Sequence, residues 1–152
     1  METTLKTAGD ATALAQAFAA HLAAGDCLLL AGPVGAGKTH FARGIIRALT
    51  GPAQEVPSPT FTLVQTYDSP RAEIWHADLY RLCHIDELVE LGLEEAFDSA
   101  ITLVEWPERL GAVRPPRRLE LDFAIPSLES EDRRLTINPH GSGWEWLASL
   151  PA

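Results

Sequence analysis

The chain is poor in positive charge, cysteine and asparagine, and it has no long apolar run. Twelve Lys and Arg face 21 Asp and Glu, a formal charge of −9. Phosphate-backbone contacts need local Lys and Arg, so this balance excludes a surface built mainly to grip nucleic acid. The longest uninterrupted apolar stretch, Cys27 to Ala31, falls far short of the roughly 20 residues that span a bilayer, which argues against a membrane-spanning helix. The opening Met1-Glu2-Thr3-Thr4-Leu5-Lys6 lacks the basic-then-apolar order of a secretion signal, so a cytoplasmic location is expected. Cys27 and Cys83 show no C-x-x-C spacing, and free thiols are expected rather than a disulfide scaffold or a zinc site.

What is present is an ordinary globular composition, 46% hydrophobic and 22% charged over 152 residues. A chain of this length buries roughly two-thirds of its unfolded surface, so residues 1–152 are expected to form a single domain. Thr3 to Thr7 reads as an edge strand. Asp10 is placed to cap an alanine-rich helix over Ala11 to Ala24, which Gly25 closes. Cys27 to Ala31 then reads as a strand buried on both faces. Lys38 to Leu49 has helical spacing in Phe41, Ile45, Ile46 and Leu49. A proline-rich loop follows, then strands over Phe61 to Tyr67 and Glu73 to Ala77 as an antiparallel hairpin. A helix over Ile85 to Ala96, interrupted near Gly92, leads to a strand over Ile101 to Val104 that ends at Glu105. Arg114 to Arg118 forms a stiff basic connector, strands cover Leu119 to Ile125 and Arg134 to Asn138, and a short helix near Trp144 to Leu150 closes the chain, anchored by Trp144 and Trp146.

The strongest local signal is Gly32-Pro33-Val34-Gly35-Ala36-Gly37-Lys38-Thr39, a complete G-x-x-x-x-G-K-[ST] between an expected strand and an expected helix. Gly35 and Gly37 let backbone N–H groups curl around a phosphate, and the helix N-terminus adds its positive dipole end. Lys38 supplies a charge toward the β- and γ-phosphates, and the Thr39 hydroxyl can ligate magnesium. Such a loop needs a carboxylate at the C-terminal end of a neighbouring strand, and Glu105 stands there. Asp78 is a second candidate, to orient an attacking water or complete the magnesium shell, or else to cap Leu79-Tyr80-Arg81. Thr60 and Thr62 lie where nucleotide switches often keep a γ-phosphate sensor. His76 and His84 read as structural or surface histidines. Arg114, Arg117 and Arg118 read as a solvated face or partner contact. The expected class is α/β, a P-loop NTPase-like three-layer fold whose mixed sheet has a parallel centre and antiparallel additions.

Taken together, the phosphate loop with Phe41 and Arg43-Gly44, Ser58-Pro59-Thr60-Phe61-Thr62-Leu63-Val64, His76-Ala77-Asp78-Leu79-Tyr80-Arg81-Leu82, Glu87-Leu88 with Leu91-Gly92, and Val104-Glu105-Trp106-Pro107 resemble the TsaE (YjeE) family in order and spacing. The resemblance implies a magnesium-dependent ATPase needed to make threonylcarbamoyladenosine at position 37 of tRNA. It implies TsaB and TsaD as partners, tRNA being met mainly through that complex, with ATP hydrolysis resetting the complex between turnovers. By the same resemblance, Thr39 and Glu105 are magnesium ligands, and Gly35, Ala36, Gly37, Lys38, Thr39 and His40 hold ATP. Asp78 serves in hydrolysis with Lys38 and Glu105, Ser58, Thr60 and Thr62 form a switch, and Trp106 sits beside the metal carboxylate. Thr12 and Arg134 match less specific positions near the adenine or ribose. The sequence departs from the family pattern at His40, often a second threonine, and at Pro33-Val34, more usually Asp-Leu.

Two other classes compete with an ATPase acting on a protein complex. A P-loop small-molecule kinase needs an acceptor pocket and a lid rich in arginine, for which Arg114, Arg117 and Arg118 are the only cluster. A non-catalytic nucleotide switch would keep its partner regulation without Asp78. A GTPase is disfavoured, because Asn138 is the only asparagine and no Asn-Lys-x-Asp guanine reader exists.

Overall fold

Cys27–Ala31 is too apolar to face water on either side, and it lies mid-sheet with Cys27 to Leu30 fully buried. A computed structural model describes residues 1–151; the last position of the expected 1–152 domain lies outside them. The elements in chain order are β1 (Glu2–Leu5), α1 (Ala8–Ala19), β2 (Cys27–Ala31), α2 (Lys38–Thr50), β3 (Val64–Tyr67), β4 (Ile74–Asp78), α3 (Asp86–Leu91), α4 (Leu93–Ser99), β5 (Ile101–Glu105), β6 (Arg118–Ala124) and β7 (Arg133–His140). Two 3₁₀ turns, Pro107–Leu110 and Glu145–Ser149, complete the described chain.

The seven strands form one sheet in the order β1-β7-β6-β2-β5-β4-β3. β6, β2, β5 and β4 run parallel, while β1, β7 and β3 pair antiparallel at the flanks. The expected parallel centre with antiparallel additions is therefore present. Helices cover both faces. On one, Phe18 of α1 and Phe41, Ile45 and Ile46 of α2 pack against Leu28, Leu30, Ile101 and Leu103. On the other, Leu88, Leu93 and Phe97 pack against Cys27, Leu29 and Val104. Burial pushes the Cys27 thiol up to about 12, so it stays protonated and behaves as a small core hydrophobe. Neither cysteine forms a disulfide. No helix among the described residues is long and apolar enough to cross a membrane.

Several boundaries differ from the sequence expectations. α1 starts three residues earlier than expected, and its N-cap is Thr7 rather than Asp10: the Thr7 hydroxyl accepts from the Asp10 N–H at 3.1 Å, and the Asp10 carboxylate accepts from the Lys6 N–H at 3.1 Å. It ends at Ala19, not Ala24. Arg71, from the β3–β4 connection, donates to the carbonyls of Ala19 and Leu22 at 2.6 and 2.9 Å, satisfying groups that further helix would have used. The edge strand covers Glu2–Leu5 and omits Lys6 and Thr7. β3 begins only at Val64, because Leu63 turns the chain with φ +68°. The helix expected over Ile85 to Ala96 is two short helices, parted by Gly92 at φ +79°, a left-handed conformation that favours glycine. The closing helix is a 3₁₀ turn, with Trp144 lying under the Arg117 guanidinium at 3.9 Å.

α1 and α2 meet closely. A Cβ placed on Gly44 would fall 2.8 Å from the Ala15 Cβ, closer than carbon atoms tolerate. Gly44→Val should therefore force the helices apart and destabilise the fold by about 1–3 kcal/mol, read as a lower denaturant midpoint at unchanged m-value.

Candidate active site

Because β2, β4 and β5 are parallel, their C-terminal ends meet at one edge of the sheet, and the loop after β2 bends over that edge. Side chains alternate along a strand. Ile74, His76 and Asp78 of β4 therefore share a face with Ile101, Leu103 and Glu105 of β5, the face that carries α2. Asp78 and Glu105 are direct register partners, and the N-terminus of α2 lies over them. The cleft so formed has a volume of about 450 Å³ and is lined by Lys38, Thr39, Ser58, Thr60, Asp78 and Glu105, among others.

The polar floor of this cleft is withdrawn from water: Lys38 is 5% exposed, Asp78 4%, Glu105 2% and His76 0%. The Thr39 hydroxyl donates to Glu105 Oε1 at 2.7 Å, and His76 Nε2 lies 2.6 Å from Glu105 Oε2. Across the cleft, the Thr60 hydroxyl donates to Asp78 Oδ2 at 3.1 Å, and the Ser58 and Thr60 hydroxyls are 2.8 Å apart. Asp78 Oδ1 accepts from the Tyr80 N–H at 3.0 Å. Asp78 thus holds the proline-stiffened loop and its own following turn; no helix forms at Leu79-Tyr80-Arg81 for it to cap.

Gly35 and Gly37 take φ +82° and +105°, and Gly37 stands at the N-cap of α2 without a side-chain cap. The first amides of α2 are left for an anion. Lys38 Nζ donates to the Gly32 carbonyl and sits 3.5 Å above the Trp106 ring. Trp106 itself is left-handed, φ +59°, which turns its indole back toward the lysine. Burial pulls the Lys38 pKa below its ordinary 10.5, against the opposing pull of Glu105, Glu108 and Asp78. A nearly buried ammonium without an ion-pair partner is what an incoming phosphate would satisfy.

Not every expected residue reaches the cleft. Thr62 accepts from the Gln65 side chain at 3.1 Å and faces solvent. Thr12 approaches the loop only through His40, whose Nε2 lies 3.0 Å from the Thr12 hydroxyl and 3.1 Å from the Ala8 carbonyl. Arg134 is not brought to the loop: it points to Glu2 at 3.7 Å on the sheet edge. The residue before it, Arg133, donates to the Gly35 carbonyl at 3.4 Å. Arg133 also lines a hollow of about 230 Å³ beside the phosphate loop, with Thr7, Ala8, His40 and Phe123. The one-residue slip reverses the face, and sequence spacing alone carried no signal to distinguish the two arginines. Nor does the arginine cluster offer a lid. Arg114 and Arg118 pair with Glu120 at 2.7 and 3.3 Å, and Arg117 with Asp26 at 2.5 Å. Burial works to raise the Glu120 carboxyl, but Arg118, His140 and Arg114 together hold it below its ordinary value.

Among the described residues no cluster of three or more His, Cys, Asp or Glu side chains could cage a metal. Thr39 Oγ1 and Glu105 Oε1 are a pair of hard oxygens on the cleft wall. That set fits magnesium, which keeps several waters and takes one or two protein oxygens beside substrate phosphates. It does not fit a resident metal held by protein alone.

Known proteins resemble this chain over most of its length. The family described as "Threonylcarbamoyl adenosine biosynthesis protein TsaE" matches residues 5–135. The tRNA threonylcarbamoyladenosine biosynthesis protein TsaE of Rickettsia bellii is 41% identical over 134 residues, covering 88% of this chain and 91% of that protein. The protein of the same name from Bacillus subtilis is 36% identical over 136 residues, covering 89% and 83%. The crystal structure of Bacillus subtilis YdiB superposes with a TM-score of 0.78 at 26% identity, over 98% of this chain and 91% of that one. The chain belongs to the TsaE family of threonylcarbamoyl adenosine biosynthesis proteins.

Proposed function

We propose that this protein binds and hydrolyses ATP with magnesium and, through that cycle, resets a TsaB–TsaD complex that installs threonylcarbamoyladenosine at position 37 of tRNA. The observation that carries the reading is the pairing of Thr39 with Glu105 at 2.7 Å on one wall of a cleft whose other wall is the Thr60–Asp78 contact. Phosphate would lie against the Gly35 to Thr39 amides and Lys38, with the nucleoside toward the Arg133 hollow. Thr39 and Glu105 would hold magnesium, which when bound neutralises charge on the phosphates. Asp78, already tied to the Ser58–Thr60 loop, is placed to hold a water and to report the γ-phosphate to that loop. The negative surface accords with tRNA being handled mainly by the partners.

Among the described residues no arginine lines the cleft, so turnover by the isolated chain should be slow and should rise when partners complete the site. The test is ATP hydrolysis by the chain alone and with TsaB and TsaD, beside repeated rounds of tRNA modification. Faster hydrolysis and ATP-dependent repeated rounds support the reading. An unchanged rate together with ATP-independent rounds would sink it. The kinase reading loses its lid arginines to Glu120 and Asp26.

A further inference from the structure

Glu105 has a partner that the phosphate chemistry does not require. His76 stands two residues before Asp78 on the same face of β4, beside Leu103 in the register. Its Nε2 meets Glu105 Oε2 at 2.6 Å, while Oε1 of the same carboxylate accepts from Thr39. Each oxygen of the glutamate is therefore held by a different element, β4 on one side and α2 on the other. Contact with a carboxylate oxygen at that distance puts a hydrogen on Nε2 and leaves Nδ1 of a neutral ring as a bare acceptor. That Nδ1 is buried and has no partner. An orphaned buried polar atom destabilises the fold, so packing alone gives no reason for a histidine there. The bond to Glu105 does.

We propose that His76 is a positioning residue that locks the Glu105 carboxylate so that Oε1, beside the Thr39 hydroxyl, points at the magnesium position. The inference rests on the nucleotide reading above. Outer partners of this kind orient a ligand and typically change metal affinity or activity 10- to 100-fold when removed.

ADP binding measured by calorimetry, in EDTA and across a magnesium titration, tests it together with ATP hydrolysis. His76→Leu keeps apolar bulk and loses the donor; His76→Gln keeps an N–H at similar reach. For His76→Leu, the magnesium concentration that half-saturates the ADP complex should rise about 10- to 100-fold, with ADP affinity in EDTA unchanged. His76→Gln should recover most of the loss. Should His76→Leu fail to fold, His76→Asn, polar but too short to reach Glu105, should show the same separation. A magnesium titration like that of the wild type in either variant that cannot reach Glu105, or an equal loss with and without magnesium, would overturn the positioning role alone. A wild-type protein whose ADP affinity ignores magnesium would overturn the nucleotide reading as well.

Discussion

Lys38→Met is expected to abolish the thermal stabilisation that magnesium and ATP confer and to lower hydrolysis by about 100-fold or more, the scale on which a preorganised charge stabilises a reacting group. The same variant should not lower the melting temperature of the free protein. Its ammonium is nearly buried, facing a carbonyl and an indole rather than a carboxylate, and burial holds its pKa below 10.5. A lysine whose folded pKa lies below its unfolded value opposes folding while both states are charged. That opposition fades as pH rises through the folded value and is gone above the unfolded one. Wild type should therefore close the stability gap to Lys38→Met as pH climbs toward 10.5. Differential scanning calorimetry at several pH values, with and without ATP, measures both effects. A free Lys38→Met that melts well below wild type at neutral pH would contradict the reading of Lys38 as a strained, phosphate-seeking group.

Glu105→Ala should damage both stability and activity, and for one reason. Glu105 is the shared acceptor of Thr39 and His76; without it the fully buried His76 is orphaned on both nitrogens, whereas the half-buried Thr39 hydroxyl lines the open cleft and turns to water. Each orphaned buried group costs about 1–3 kcal/mol. The one at His76 predicts a melting temperature lower by roughly 2–12 °C for a domain of this size. Magnesium should no longer strengthen ADP binding, and hydrolysis should fall at least as far as in Lys38→Met. Circular dichroism melts and the magnesium titration separate the two losses. If the melting temperature is unchanged while hydrolysis disappears, Glu105 is purely a ligand and the buried network contributes nothing to the fold.

The parts of the fold set by local chemistry were legible in the sequence. The apolar run Cys27–Ala31 announced a central strand, the glycine-rich loop announced a phosphate cradle, and Ile101–Glu105 announced a strand with a carboxylate at its end. What escaped was set by distant contacts. Nothing between Ala19 and Ala24 stops a helix; Arg71, 52 residues from Ala19, does so through its carbonyl contacts. Leu63 breaks the expected strand because the Pro59 carbonyl accepts from its N–H at 2.7 Å and its own carbonyl accepts from Asp78 at 2.8 Å. In the site, Thr39, Glu105 and Asp78 line one cleft. Arg134 does not, since two adjacent arginines on a strand face opposite ways and the register decides which one turns to the loop. His76 reads from the sequence as a structural or surface histidine, and its i, i+2 relation to Asp78 on one strand is the signal that the two share a face.

The central claim is that the cleft takes magnesium and an adenine nucleotide, and a thermal-shift series with ATP, ADP and GTP, each with and without magnesium, tests it most directly. Wild type should gain stability with ATP and ADP, more with magnesium than without, and markedly less with GTP. Lys38→Ala should gain with none, and Glu105→Ala should lose the magnesium increment. Equal stabilisation by GTP and ATP would contradict the adenine assignment, and no shift with any nucleotide would contradict the claim itself.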